Sequence, residues 1–183
     1  MPAPRLNLGD VALLVVDVQE RLVPVMHQAE ALVTQVGRLI DGVNLLGVPV
    51  LVTEQYRKGL GVTVQPVATR LTDAVCNEEK LRFSACIEPV MDHLRRTGAR
   101  TVLVCGIEAH VCVLQSCLDL ADAGFVVFVA TDAIASRRPE DRSTAVARLT
   151  QAGVVPTTVE SALLELVQEA GGERFKAILP VIR

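Results

Sequence analysis

A cysteine stands where a helix should begin. The segment Val102-Leu103-Val104-Cys105-Gly106-Ile107-Glu108-Ala109-His110-Val111-Cys112-Val113-Leu114 passes from a β-branched run through a glycine turn, after which Leu114, Cys117, Leu118 and Ala121 recur at helical spacing. Cys112 therefore falls in the first helical turn. Free amide N–H groups and the positive end of the macrodipole favour a thiolate there, lowering a cysteine pKa from its ordinary ~8.5. A thiolate attacks carbonyl carbon. The competing reading is a small buried apolar residue, the commoner fate of an intracellular cysteine, and a base and a cation within reach would decide between the two.

Two residues supply that chemistry. Asp17 directly follows Val11-Ala12-Leu13-Leu14-Val15-Val16, a run continuous enough to be a strand buried on both faces of a parallel sheet. A carboxylate in that position lies at the carboxyl end of its strand, where open α/β sheets place their ligand crevices; the alternative is a helix cap. Lys80, in Asn77-Glu78-Glu79-Lys80-Leu81-Arg82-Phe83-Ser84, is the only lysine between Lys58 and Lys176. Its alternative is an exposed side chain paired with Glu78 or Glu79.

The elements that must bring these residues together alternate regularly. Strand-like runs cover Val11 to Val16, Pro49 to Thr53, Thr101 to Cys105, Phe125 to Ala130 and Val154 to Thr157. Helical patterns lie between or after them at Ala29 to Leu46, Glu88 to Thr97, Val111 to Ala123, Glu140 to Ala152 and Ser161 to Ala170. Gly47, Gly98, Gly124 and Gly153 each close a helix just before the next strand. Short loops between alternating strands and helices imply a parallel sheet covered on both faces. The stretch from Glu54 to Cys76 has no regular pattern and reads as a long loop, a lid or an arm reaching a neighbouring subunit. The 183 residues make one domain, 1–183.

These residues and their contexts resemble the isochorismatase-like cysteine hydrolase family, and the resemblance runs over nearly the whole chain. It rests on Leu14-Val15-Val16-Asp17-Val18-Gln19, on Glu79-Lys80 with Phe83-Ser84 behind it, and on Gly106-Ile107-Glu108-Ala109-His110-Val111-Cys112-Val113. Thr53-Glu54-Gln55-Tyr56, Lys58-Gly59-Leu60-Gly61 and Arg174-Phe175-Lys176 look closest to the branch called isochorismatase domain-containing proteins. The resemblance implies a doubly wound, mainly parallel α/β sheet of about six strands with helices on both faces, a Rossmann-like three-layer sandwich. It implies an Asp17, Lys80 and Cys112 triad that cleaves a small-molecule amide or related C–N bond through a thioester. The oxyanion would be held by the amides of Cys112 and of Ala109 or Val111, in a turn with a cis peptide at Ile107-Glu108. Gln19, Phe83, Glu108 and His110, beside the triad in sequence, would edge the substrate pocket. The metal-binding branch uses an Asp-x-His pair after its second strand; here that place reads Thr53-Glu54-Gln55-Tyr56, so neither a metal nor another cofactor is expected. Other readings are an isochorismate-type vinyl-ether hydrolase that leaves Cys112 idle, a redox protein in which Cys105 or Cys117 resolves an oxidised Cys112, and a catalytically silent oligomeric binding protein.

Composition narrows the partners. A net charge of −3 and 3% aromatic residues disfavour nucleic acid, which wants a basic patch and stacking rings. Arg95-Arg96 and Arg137-Arg138 are the nearest basic clusters, each read as lying at or just beyond a helix end. No apolar run approaches the ~20 residues that cross a bilayer, and Met1 to Leu8, punctuated by prolines, does not read as a signal peptide. Five cysteines without a Cys-x-x-Cys pair suit a reducing compartment, so the chain is expected to be cytoplasmic. The apolar tail Phe175, Ile178, Leu179, Val181 and Ile182 needs cover from its own core or from another copy, and a homo-oligomer is expected.

Overall fold

The computed structural model describes residues 3–183; Met1 and Pro2, the start of the proline-punctuated amino terminus, lie outside the described residues. Six strands, β1 (Val11–Val16), β2 (Val50–Gln55), β3 (Cys76–Lys80), β4 (Thr101–Ile107), β5 (Val126–Ala135) and β6 (Val155–Thr157), form one sheet in the order β3-β2-β1-β4-β5-β6. Every pairing is parallel. Alternation along the inner strands divides the core. Leu13, Val15, Val50, Val52, Leu103 and Phe128 face α1 (Ala29–Leu45), α7 (Val159–Val167) and α8 (Glu173–Ile182). Leu14, Val16, Leu51, Val102, Val104 and Val129 face α4 (Glu88–Thr97), α5 (Leu114–Asp122) and α6 (Pro139–Gln151). Apolar side chains at both parities require two covering layers, which is why these strands read as unbroken hydrophobic runs. The chain winds outward in both directions from β1 and β4, so their carboxyl ends flank the topological switch point.

Of three expectations, two are corrected and one, the cover of the apolar tail, resolves to the chain's own core. The Glu54 to Cys76 stretch is not an irregular arm: β2 continues through Gln55, and α2 (Arg57–Leu60) and α3 (Gln65–Ala68) lead into β3. Its fastening is internal. Thr63 pairs with Gln19 in an isolated bridge, and the buried Glu54 carboxylate accepts from the Thr63 amide and hydroxyl, both at 2.6 Å, and from Arg57. Burial opposes that charge, but these hydrogen bonds hold the Glu54 carboxyl below its usual range. The apolar tail forms α8, whose Ile178 is fully buried and whose Phe175, Val181 and Ile182 pack on the first core layer. Its own chain therefore covers much of it. Third, Arg137 and Arg138 precede α6 rather than ending a helix, and Arg137 is spent on an ion pair with Glu108 at 3.0 Å.

Candidate active site

Asp17 ends β1 by leaving the strand conformation. Its φ of 53° is left-handed, its amide donates to the Thr53 carbonyl at 3.0 Å, and its carbonyl accepts from the Gln19 amide at 2.8 Å. Aspartate tolerates this conformation better than branched residues do. Next to it, β4 must come close: a Cβ on Gly106, whose φ is 118°, would lie 2.0 Å from the Val16 carbonyl oxygen. Only glycine lets the two strand ends meet there. After β4 the Ile107-Glu108 peptide is cis, and Ala109–Val113 form a single π-helical turn before α5. Cys112 stands in that turn, 6% exposed. Ser116 anchors it to the loop before α4, donating to the Cys112 carbonyl at 2.6 Å while accepting the Ala85 amide at 2.7 Å.

Lys80 reaches the same point from β3, two strands away from β1 and so about 10 Å across the sheet. Its Nζ lies 2.6 Å from Asp17 Oδ2, an ion pair with both side chains wholly buried. Thr53 Oγ1 donates to the other oxygen, Oδ1, at 2.9 Å. Lys80 also donates to Gln55 Oε1 at 2.7 Å, the Phe83 carbonyl at 2.9 Å and the Arg82 carbonyl at 3.2 Å. The three residues expected to share chemistry are brought together, since the Cys112 thiol lies close enough to interact with both Asp17 and Lys80. Thr53 and Gln55, which sequence reasoning used to place the branch and to argue against a metal, occupy the cluster as well. Each contacts one member of the ion pair.

The helix-start argument for a lowered thiol pKa is overturned. Burial first, and then the Asp17 carboxylate, push the Cys112 thiol up to about 12, with Lys80 only partly offsetting them. The α-helix begins at Leu114, beyond Cys112, so desolvation dominates over any helix-end field. Asp17 is itself raised above 3.8, by burial against the opposing pull of Lys80. The resting site therefore holds a thiol beside a carboxylate of heightened proton affinity, an arrangement suited to proton transfer during attack rather than to a standing thiolate.

The neighbouring residues differ in what they can touch. Gln19 is fully buried, and its amide is consumed by backbone: Nε2 donates to the Gln55 and Gly61 carbonyls at 2.9 and 2.7 Å, and Oε1 accepts the Gln55 amide at 2.7 Å. It fastens a loop, and both of its amide protons are taken by backbone carbonyls. Phe83, 53% exposed, is not core. Glu108 pairs with Arg137, and His110 Nδ1 lies 2.9 Å from the buried Ser136 Oγ, so the segment just after β5 braces the Cys112 turn through two side chains. Neither Ser136 nor Arg137 was singled out as a site residue, because only the fold brings the segment after β5 beside this turn. Of the two candidate amides beside that of Cys112, Val111 N–H already donates to the Glu108 carbonyl at 3.0 Å. Ala109 is the remaining one. Cys105 faces the α1 layer and Cys112 the opposite one, which removes Cys105 as a resolving thiol.

Residues 11–161 match the isochorismatase domain model. The chain belongs to the isochorismatase family. Its relatives include the secreted isochorismatase effector Isc1 of Phytophthora sojae, 41% identical over 93% of this chain and 83% of that protein. Isochorismatase domain-containing protein 1 of Danio rerio is 40% identical over 91% of this chain and 59% of its own length, and such relatives place the chain in the domain-containing branch. Among solved structures, the MAR1 ribonuclease of Caenorhabditis elegans superposes with a TM-score of 0.94 at 39% identity, covering 98% of this chain and 92% of that one. YcaC of Escherichia coli, described as an octameric hydrolase of unknown specificity, gives 0.93 at 25% identity over 100% and 91%. As an isochorismatase-family member, the chain is a hydrolase. No described helix of this family member is long and apolar enough to cross a membrane.

Proposed function

We propose that the chain is a single-domain cysteine hydrolase that cleaves a small-molecule amide or related C–N bond through a thioester on Cys112. One observation carries this reading: a buried ion pair of carboxylate and lysine at the switch point of the sheet has a nearly buried thiol from a third segment close enough to interact with both. Asp17 takes the Cys112 proton as sulfur bonds to the carbonyl carbon and the carbonyl electron pair moves to oxygen. Backbone amides of Ala109 and Cys112 receive that oxyanion. Collapse breaks the C–N bond, and Asp17 returns its proton to the departing amine. Water then attacks the thioester, again giving its proton to Asp17, and the acid leaves with the thiol restored. Lys80 offsets the negative charge that the carboxylate and sulfur carry in turn.

Glu108, His110 and Phe83 border the pocket in this reading, the protein is cytoplasmic, and it assembles as a homo-oligomer, as the octamer described for YcaC supports. Neither nucleic acid nor membrane is a partner. Because a 39% identical relative is described as a ribonuclease, RNA is a required comparison substrate. The test is a screen of primary amides and ureido compounds with mass analysis of the intact protein. An acyl adduct on Cys112 and loss of amine release in Cys112→Ser and Asp17→Asn are expected, with folding retained. Full turnover in Cys112→Ala would replace the thioester with vinyl-ether hydrolysis, and RNA cleavage indifferent to Cys112 would replace both.

A further inference from the structure

Three successive carbonyls after β3 point inward at the same two side chains. Gln55 Nε2 donates to the Leu81 carbonyl at 2.8 Å, and Lys80 Nζ donates to those of Arg82 and Phe83 at 3.2 and 2.9 Å. Gln55 and Lys80 are themselves joined, Oε1 to Nζ, at 2.7 Å. Turning these carbonyls inward turns the side chains out, which accounts for Leu81 and Phe83 being 74% and 53% exposed. An ammonium has three protons to give, and here four acceptors surround it: Asp17 Oδ2, Gln55 Oε1 and the two carbonyls. Its direction is set by how those acceptors are held. Asp17 is fixed by β1 and Thr53, and the carbonyls belong to a loop. Gln55 ties the loop to the ammonium from a fixed strand, because it ends β2 in register with Lys80, donates to the loop and accepts from the ammonium.

We infer that Gln55 is a positioning residue for the Asp17, Lys80 and Cys112 site, holding the Lys80 ammonium toward Asp17 and setting the Leu81–Phe83 lip beside it. The inference rests on the cysteine-hydrolase reading above. It assigns Gln55 no contact with substrate. Gln55 acts through Lys80, and its removal frees the ammonium to follow the loop carbonyls away from the carboxylate and sulfur.

The experiment reads Cys112 directly and so needs no substrate. Purified full-length protein is treated with iodoacetamide, which forms an S–C bond, releases iodide and passes the thiol proton to Asp17 or solvent. Rates are followed for each cysteine by peptide mass mapping. Gln55→Leu should slow Cys112 alkylation about tenfold, the scale of one hydrogen bond to a charged group. Cys86, half-buried and outside the cluster, should keep its wild-type rate. Gln55→Glu keeps an oxygen acceptor for Lys80 and should return the Cys112 rate to within about threefold of wild type, a rescue that a merely space-filling role would not produce. Fast labelling of the buried Cys105 and Cys117 would expose unfolding in either variant, and the comparison then moves to Gln55→Met, which keeps the length of the side chain without its polar end. An unchanged Cys112 rate in a folded Gln55→Leu or Gln55→Met protein overturns the inference, as does a Gln55→Glu protein as slow as Gln55→Leu. Lys80→Met separates the two levels. If it slows Cys112 while Gln55→Leu does not, only the positioning role fails; if it too leaves Cys112 unchanged, the cysteine-hydrolase cluster itself is wrong.

Discussion

Replacing Lys80 by methionine should destabilise the fold by about 3–5 kcal/mol, the usual cost of leaving one partner of a buried ion pair behind. The structure places this pair at the severe end, since both side chains are wholly buried and joined at 2.6 Å. Methionine fills the volume but gives no proton to Asp17 Oδ2, Gln55 Oε1 or the Arg82 and Phe83 carbonyls, leaving Asp17 only the neutral donors Thr53 Oγ1 and the Cys112 thiol. Adding Asp17→Asn removes the stranded charge, so the double variant should regain at least about 2 kcal/mol, the unsatisfied carbonyls accounting for the remainder. The pH dependence has a definite sign. The folded-state pKa of Asp17 is raised above 3.8 by burial, and losing Lys80 raises it further. The folded protein then binds more protons than the unfolded one between those values, so stability falls as pH rises through that window, by up to ~1.4 kcal/mol per unit, and levels off once Asp17 is ionised. With no tryptophan and one tyrosine in the chain, far-UV circular dichroism is the suitable probe. Thermal melts should show a drop of about 10 °C for Lys80→Met at neutral pH, shrinking toward acid. A Lys80→Met protein as stable as wild type across that range, or a double variant less stable than the single one, would refute a desolvated pair as the centre of the site.

Gly106→Ala should cost at least about 3 kcal/mol, because its Cβ meets the Val16 carbonyl at 2.0 Å in a left-handed conformation, and a wild-type melt would show that β1 and β4 do not approach as described. Turnover of any amide found should rise with pH through the titration of Asp17, with its midpoint above 3.8 since the base form is required and its pKa is raised; an acid limb centred below that value would contradict Asp17 as the base. Truncation after Gly172 should lower stability at every protein concentration, by about 3 kcal/mol or more, since fully buried Ile178 leaves the first core layer. Light scattering that showed only a change in assembly, with the melt intact, would return the tail to an intersubunit role.

Asp17 was legible because an uninterrupted apolar run fixes where a doubly covered strand must be and therefore where it ends. The same logic found β4, and the glycines found the helix ends: Gly47, Gly98, Gly124 and Gly153 all have positive φ. The logic failed at β3. Cys76-Asn77-Glu78-Glu79-Lys80 carries no apolar alternation, and only its two end residues are buried. It is a strand because β2 offers it a partner at the sheet edge, a tertiary cause that no local pattern records. Gln55 was hidden for a related reason. The strand reading stopped at Thr53, where polar residues begin, whereas β2 carries both Thr53 and Gln55 into the site.

The Cys112 thiol exposes a different limit. A helix start is a local feature and reads directly from spacing, but it is worth a fraction of a kcal/mol to about 2 kcal/mol. Burial beside a carboxylate is non-local and larger, and it acts in the opposite direction. Local reasoning thus found the residue and misjudged its state. The correction alters the mechanism rather than the assignment. A free thiolate beside the Asp17 carboxylate would place two like charges in one dry cluster with a single ammonium; a thiol beside an ionised Asp17 leaves the Asp17–Lys80 pair neutral in sum. Charge separation then waits until the carbonyl carbon takes the sulfur electrons, when negative charge passes to an oxygen that backbone amides can receive and the proton stays on Asp17 for the departing amine. The cost of burying the thiol is thereby met in the transition state, and the cluster needs both its raised carboxylate and its fixed ammonium for that to hold.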